Sequence, residues 1–221
     1  MKKSVTLPPM NSVMYKIAID KSLINDMEVV RFPGNIYVID NPLKVVPALK
    51  VLKNNKIVGF DTETRPSFKK GVVHKVSLVQ LSGEDECFLF RLNKIGFNQD
   101  LLDFLASDTP VKIGLSLHDD FSMINHSAKL KPKGFVDLQN IVGQFNISDI
   151  SLQKIYAILF QKKISKGQRL SNWEANELTP AQMQYAAIDA WACTKIYQFL
   201  KDGNFDPEAS PFKKYDDNEI C

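Results

Sequence analysis

Between residues 56 and 92 the chain carries three β-rich runs in quick succession: KIVGFDTE (56–63), KVSLVQLS (75–82) and ECFLFRL (86–92). Each is crowded with β-branched and aromatic side chains, which suit a pleated, half-buried strand. Gly83-Glu84-Asp85 separates the last two and is short enough for a hairpin loop. Around them, helical and extended patterns alternate. NIYVID (35–40) reads as a short strand and 41–55 as a helix that Pro47 shortens. Residues 97–107 have helical spacing, 111–117 a strand pattern and 118–128 a helical one. Residues 134–145 start extended and end helical, and 151–160 reads as a helix capped by Ser151. The clearest helix is 178–203, with Thr179 at the cap, Pro180 in the first turn and Gly203 past the end. Three strands followed by this alternation predict an α/β fold, a mixed β-sheet flanked by helices. No linker divides the chain, so a single domain is expected over 35–203. Residues 1–34 read as an N-terminal extension and 204–221 as a polar, frayed C-terminal tail.

The first run holds an oddity. Asp61 and Glu63 stand two apart in a strand and so share a face. Their like charges repel unless something sits between them. Two further places repeat the puzzle. Asp119 and Asp120 lie at a strand-to-helix junction, and Asp189 stands one helical turn after Tyr185 among small apolar residues that suggest close packing. Singly, each acid has an ordinary reading: an exposed strand end, a helix cap, or half of an ion pair. Together, carboxylates from a strand, a strand end and a helix can converge on hard divalent cations.

Composition narrows the setting. The 221 residues are 44% apolar and 24% charged, as in ordinary globular proteins. A net charge of +3 permits a polyanionic partner without requiring one. Cys87, Cys193 and Cys221 form no CxxC pair, and with His74, His118 and His126 they show no zinc spacing. No apolar run is long enough to span a membrane, and Pro8 and Pro9 interrupt any signal-peptide pattern. An intracellular, cytoplasmic protein is therefore expected.

FDTE on a strand, GLSLHDDFSMI after a strand and YAAIDAWA on a late helix resemble the three motifs of the DEDD-type 3′–5′ exonucleases. The tyrosine four positions before the last acid is similar to the DEDDy subgroup, which includes RNase D and, more alike, the Werner-type exonuclease domain. The resemblance runs from Ile57 to Tyr197 and includes KVSLVQL, FVDLQNIV and RLSNWEANELTPAQMQYAAIDA. It implies an RNase H-like fold and hydrolysis of DNA or RNA from single-stranded or recessed 3′ ends. It also implies two divalent ions, Mg²⁺ or Mn²⁺, and association with a separate helicase or repair factor. In its terms Asp61, Glu63 and Asp189 hold the first ion, Asp61 bridges to the second and Asp120 holds that one. Tyr185 orients the attacking water; a phenol with pKa about 10 is a poor base.

In the family the middle acid lies six residues after a glycine, with apolar first and fourth successors. Asp120 fits from Gly114, ahead of Phe121 and Ile124; Asp119 is the second candidate. Thr62 and Thr64 resemble the stretch that meets the terminal nucleotide. Lys69, Lys70, Lys162, Lys163, Lys166 and Arg169 read either as phosphate contacts or as solvated surface charge. Trp173 reads as core before it reads as a base-stacking platform. No phosphate-binding loop occurs, so the resemblance is to an exonuclease without a helicase engine. A DNA-capable or broad-specificity enzyme is expected. The sequence shows no additional C-terminal helical RNA-binding domain of the kind RNase D carries, which tilts the expectation that way; the alternatives are RNase D-like RNA trimming and a module that binds ends without cutting.

Overall fold

The structure, a computed structural model, describes residues 15–69, 71 and 73–215. Its eight strands are β1 (Tyr15–Ile17), β2 (Asn35–Ile39), β3 (Ile57–Thr64), β4 (Val76–Ser82), β5 (Glu86–Arg91), β6 (Val111–Gly114), β7 (Phe135–Asp137) and β8 (Lys213–Tyr215). Six of them form one mixed sheet in the order β2-β5-β4-β3-β6-β7. β4 runs antiparallel to both of its neighbours, β3 and β5, while β2, β6 and β7 join in parallel pairs. β4 is buried along its whole length, which accounts for apolar residues on both of its faces, Leu78 on one and Val79 and Leu81 on the other.

The helices are α1 (Lys21–Asn25), α2 (Val45–Leu52), α3 (Leu92–Ile95), α4 (Gln99–Leu105), α5 (Leu117–Asn125), α6 (Gln139–Val142), α7 (Leu152–Phe160) and α8 (Pro180–Lys201). Alternation along β3 sorts the two cores. Val58 and Phe60 face the layer of α2, α4 and α5, while Leu78 and Leu89 of β4 and β5 face that of α7 and α8. α8 starts where the sequence places it. The Thr179 hydroxyl accepts from Gln182 N at 3.2 Å and the Gln182 side chain accepts from Thr179 N at 3.0 Å, a reciprocal capping box.

Four local expectations are corrected. The strand read over 111–117 ends at Gly114, because Ser116 takes a left-handed φ of 62° and Leu117 already opens α5. The helix read over 41–55 begins with a 3₁₀ turn at Pro42–Lys44; Pro47 sits in the first turn of α2, where its missing N–H breaks no helical bond. The Ser151 side chain makes no capping bond to α7; it lines the cleft described below. The terminal segments are integral rather than loose. Ile17, Ile19, Ile24 and Phe32 are buried in the α8-side core, and β1 pairs antiparallel with β8. Residues 1–14 of the expected extension and 216–221 of the tail lie outside the described residues.

Candidate metal centre

On β3 the alternation turns Gly59, Asp61 and Glu63 toward α8. The glycine is what lets the helix come near. A Cβ built there would lie 1.8 Å from the Ala190 carbonyl oxygen, so only a residue without a side chain permits this approach. The neighbour of Ala190 is Asp189, and the contact sets its carboxylate beside those of β3. One oxygen each from Asp61, Glu63 and Asp189 lie within 4.8 Å of one another. Gly59→Ala is accordingly expected to push α8 off the sheet, costing about 1–3 kcal/mol of stability and spreading the acids. Thermal melts together with Mn²⁺ titration check both parts.

Asp120 comes from the first turn of α5, across the open edge of β3 that β6 does not reach. The Thr62 hydroxyl donates to it. After burial, its charge is the one that weighs most on Asp61. Asp119 points away: its side chain is 89% exposed and meets only His118, at 3.4 Å. The two adjacent acids are thus separated by fold geometry, and Asp120 is the one at the centre. Asp137, at the end of β7, holds this arrangement in place. Its carboxylate accepts from the backbone N–H groups of Ser116 (3.1 Å), Leu117 (2.9 Å) and Gln139 (2.9 Å), capping α5 from outside the helix. Sequence reasoning assigned Asp137 no task, although its place in FVDLQ, next to a helical pattern, carried a capping signal.

The cluster is electrostatically strained. Burial, then Asp120, Asp189 and Glu63, push Asp61 well above the carboxylate range. Burial, then Asp189 and Asp120, raise Glu63 to about 9, with Arg169 opposing. Burial raises Asp120 to about 7, with Thr62 opposing. Burial also raises Asp189 to about 7, opposed by the Tyr185 hydroxyl that donates to it and by Lys166. Carboxylates crowded together like this, one buried and three half-buried, favour protonation or pairing. The donor set, all oxygen and convergent, fits a hard divalent cation.

A pH dependence follows. Folded values raised above unfolded ones mean that the metal-free fold holds extra protons. The contribution of these carboxyls to stability is complete at acid pH and is lost as pH rises from about 4, where unfolded carboxyls titrate, through about 7 for Asp120 and Asp189 to about 9 for Glu63. Melts in EDTA should fall by several degrees between mildly acid and mildly alkaline buffer. A saturating divalent cation should flatten the profile.

Tyr185, Asp189 and Cys193 line one stripe of α8 along a cleft of about 140 Å³, with Asp61, Ser151 and Lys166 among its other walls. Trp173 is fully buried behind Tyr185, ring centroids 6.0 Å apart, which is the core position. Lys166 lines the cleft, and Arg169 is near enough to Glu63 to lower its proton affinity. Lys162 instead pairs with Glu28, and Lys163 donates to the Asn25 carbonyl oxygen, so both hold the N-terminal segment. Thr62 spends its hydroxyl on Asp120. Thr64 follows a register shift in β3, and Lys69 is exposed in the loop after it. Lys70 lies outside the described residues.

The family described as 3′–5′ exonuclease matches residues 37–203. The chain belongs to this family. A 3′–5′ exonuclease of Arabidopsis thaliana is 32% identical over 166 residues, covering 72% of this chain and 58% of its own length. The mouse bifunctional 3′–5′ exonuclease/ATP-dependent helicase WRN is 29% identical over 89% of this chain and 15% of its own length. This exonuclease-family chain therefore spans little more than half of the first of these relatives and far less of the second. The Aedes aegypti Nibbler EXO domain superposes with a TM-score of 0.70 at 20% identity, over 81% of this chain and 96% of that one. Escherichia coli RNase D gives 0.67 at 19% identity, over 79% and 46%. These likenesses establish the RNase H-like exonuclease fold. Among the described residues, no helix is long and apolar enough to cross a membrane.

Proposed function

We propose that this chain hydrolyses phosphodiester bonds at nucleic-acid 3′ ends, releasing nucleoside 5′-monophosphates. The observation that carries the reading is the convergence of Asp61, Glu63 and Asp189 within 4.8 Å, with Asp120 beside Asp61 and Tyr185 hydrogen-bonded to Asp189. Bound Mg²⁺ or Mn²⁺ would activate water and stabilise the leaving oxygen. Asp61, Glu63 and Asp189 would hold one ion, and Asp61 with Asp120 a second. Thr62 keeps Asp120 turned inward. Tyr185, whose burial drives its proton affinity up, acts as a hydrogen-bond donor and not as a base. Lys166 and Arg169 supply positive charge for the approaching phosphates. DNA-capable or broad specificity is favoured, in keeping with the likeness to the WRN protein.

Parallel digestion of 3′- and 5′-labelled single strands, recessed duplexes and RNA, with Mg²⁺, Mn²⁺ or EDTA, tests this. Stepwise loss of 3′ nucleotides that EDTA stops is the expected result. Full hydrolysis in verified absence of metal, or end binding without cleavage, would overturn it. Tyr185→Phe keeps the ring against Trp173 and removes one hydrogen bond. It is expected to lower kcat about 10²–10⁴-fold with KM and Mn²⁺ affinity nearly unchanged. Unaltered kcat with a lowered Tm would remove the tyrosine from the mechanism.

A further inference from the structure

Gln80 lies in the middle of β4, fully buried, and neither its amide nitrogen nor its amide oxygen has a hydrogen-bond partner. A buried polar side chain left wholly unpaired is uncommon enough to need a reason. Its surroundings narrow the choice. Directly across one strand boundary stands Asp61 and across the other Leu89. Cross-strand partners share a face and bring their Cβ atoms to about 5 Å, so Gln80 is on the α8 side with the acids. Two positions away on its own strand are Leu78, which is apolar, and Ser82, whose hydroxyl donates to the Gly83 carbonyl oxygen at 3.0 Å. Among these four neighbours, Asp61 offers the only carboxylate acceptor, directly across the strand; the Ser82 hydroxyl, two residues along, is engaged with Gly83. A leucine would fill the same volume with nothing unpaired.

We propose that Gln80 is a positioning residue for Asp61, its side-chain N–H donating to that carboxylate when the carboxylate ligates a divalent cation. The inference rests on the metal-dependent reading above. A ligating carboxylate keeps lone pairs that the ion does not use, and a donor on one of them fixes the oxygen that faces the metal. The Thr62 backbone N–H already serves Asp61 from its own strand. Gln80 adds a donor from the neighbouring strand, so the carboxylate that both ions would share is clamped from two sides. Asp61 is thereby distinguished from Glu63, whose cross-strand partner is Leu78.

The test uses Mn²⁺ alone, titrated calorimetrically into the whole metal-free chain, wild type beside Gln80→Met and Gln80→Leu. Both variants fill the site and remove the unpaired amide. The expected result is a Kd for Mn²⁺ weakened about 10–100-fold, while the metal-free melting temperature is unchanged or raised. A filler role predicts the same or higher melting temperature with unaltered Kd, and that outcome overturns the proposal. A wild type that binds no Mn²⁺ overturns the metal reading itself, a different and recognisable failure. Should neither variant fold, wild-type protein labelled with ¹⁵N in glutamine decides. The Gln80 side-chain amide signal must shift on adding Mg²⁺, and an unmoved signal sinks the idea.

Discussion

Asp61→Asn is expected to abolish 3′-end hydrolysis while raising the melting temperature of the metal-free protein. The two effects share one cause. Asp61 is pushed up by burial and by the charges of Asp120, Asp189 and Glu63, so the fold tolerates it at a cost. An amide of the same shape cannot ionise, which removes one of the crowded charges. Each kcal/mol of relief is worth about 2–4 °C in a chain of this size. The sign with pH is fixed: the advantage is present at neutral and alkaline pH and fades in acid, where the wild-type carboxyl is protonated and resembles the amide. Activity goes the other way, by several orders of magnitude, because in the proposed mechanism Asp61 is the carboxylate that both ions would share. Single-turnover digestion beside melts in EDTA measures both. A variant that cuts at wild-type rate, or melts lower than wild type in EDTA at alkaline pH, would contradict this account of the centre.

The neighbouring acids of α5 provide the second large contrast. Asp120→Asn should reduce turnover by several orders of magnitude, since its carboxylate is held inward by Thr62 beside Asp61. Asp119→Asn should leave turnover close to wild type. Its side chain is 89% exposed, and its weak contact with His118 and its place near the helix N-terminus are worth about 1 kcal/mol at most. Steady-state rates for the two variants under saturating Mn²⁺ decide. An inactive Asp119→Asn beside an active Asp120→Asn would show that the wrong acid has been assigned to the centre.

Much of this molecule was readable before any coordinates. Five of the six strands of the main sheet were visible because each runs four to eight residues with a β-rich pattern, the three-residue β7 only as the extended start of 134–145, and α8 because its cap, its Pro180 and its terminal glycine are all local signals. The side-by-side acids of β3 follow from period-two geometry alone. The three-residue strands β1 and β8 were not legible, since each is defined only by a partner nearly two hundred residues away. The same holds for the burial of Phe32, whose backbone N–H donates to the Gln184 side chain at 3.1 Å across 152 positions.

The sequence by itself determined the chemistry: which residues carry carboxylates, on which strand or helix, and on which face of it. Strand parity and helical period are properties of the local backbone, so no folding is needed to read them. Tertiary structure alone decided which acids meet. Gly59 looks like a weakness in a strand until the Ala190 carbonyl is found against it, and that contact brings Asp189 to Asp61. The choice between Asp119 and Asp120 turns on the angle at which α5 leaves β6, set by Ser116 in a left-handed conformation and by the Asp137 carboxylate from another strand. Electrostatics was decided there too. A carboxylate titrates normally in the unfolded chain, and only the crowding of four of them, Asp189 buried and the others half-buried, produces groups whose charge calls for a cation.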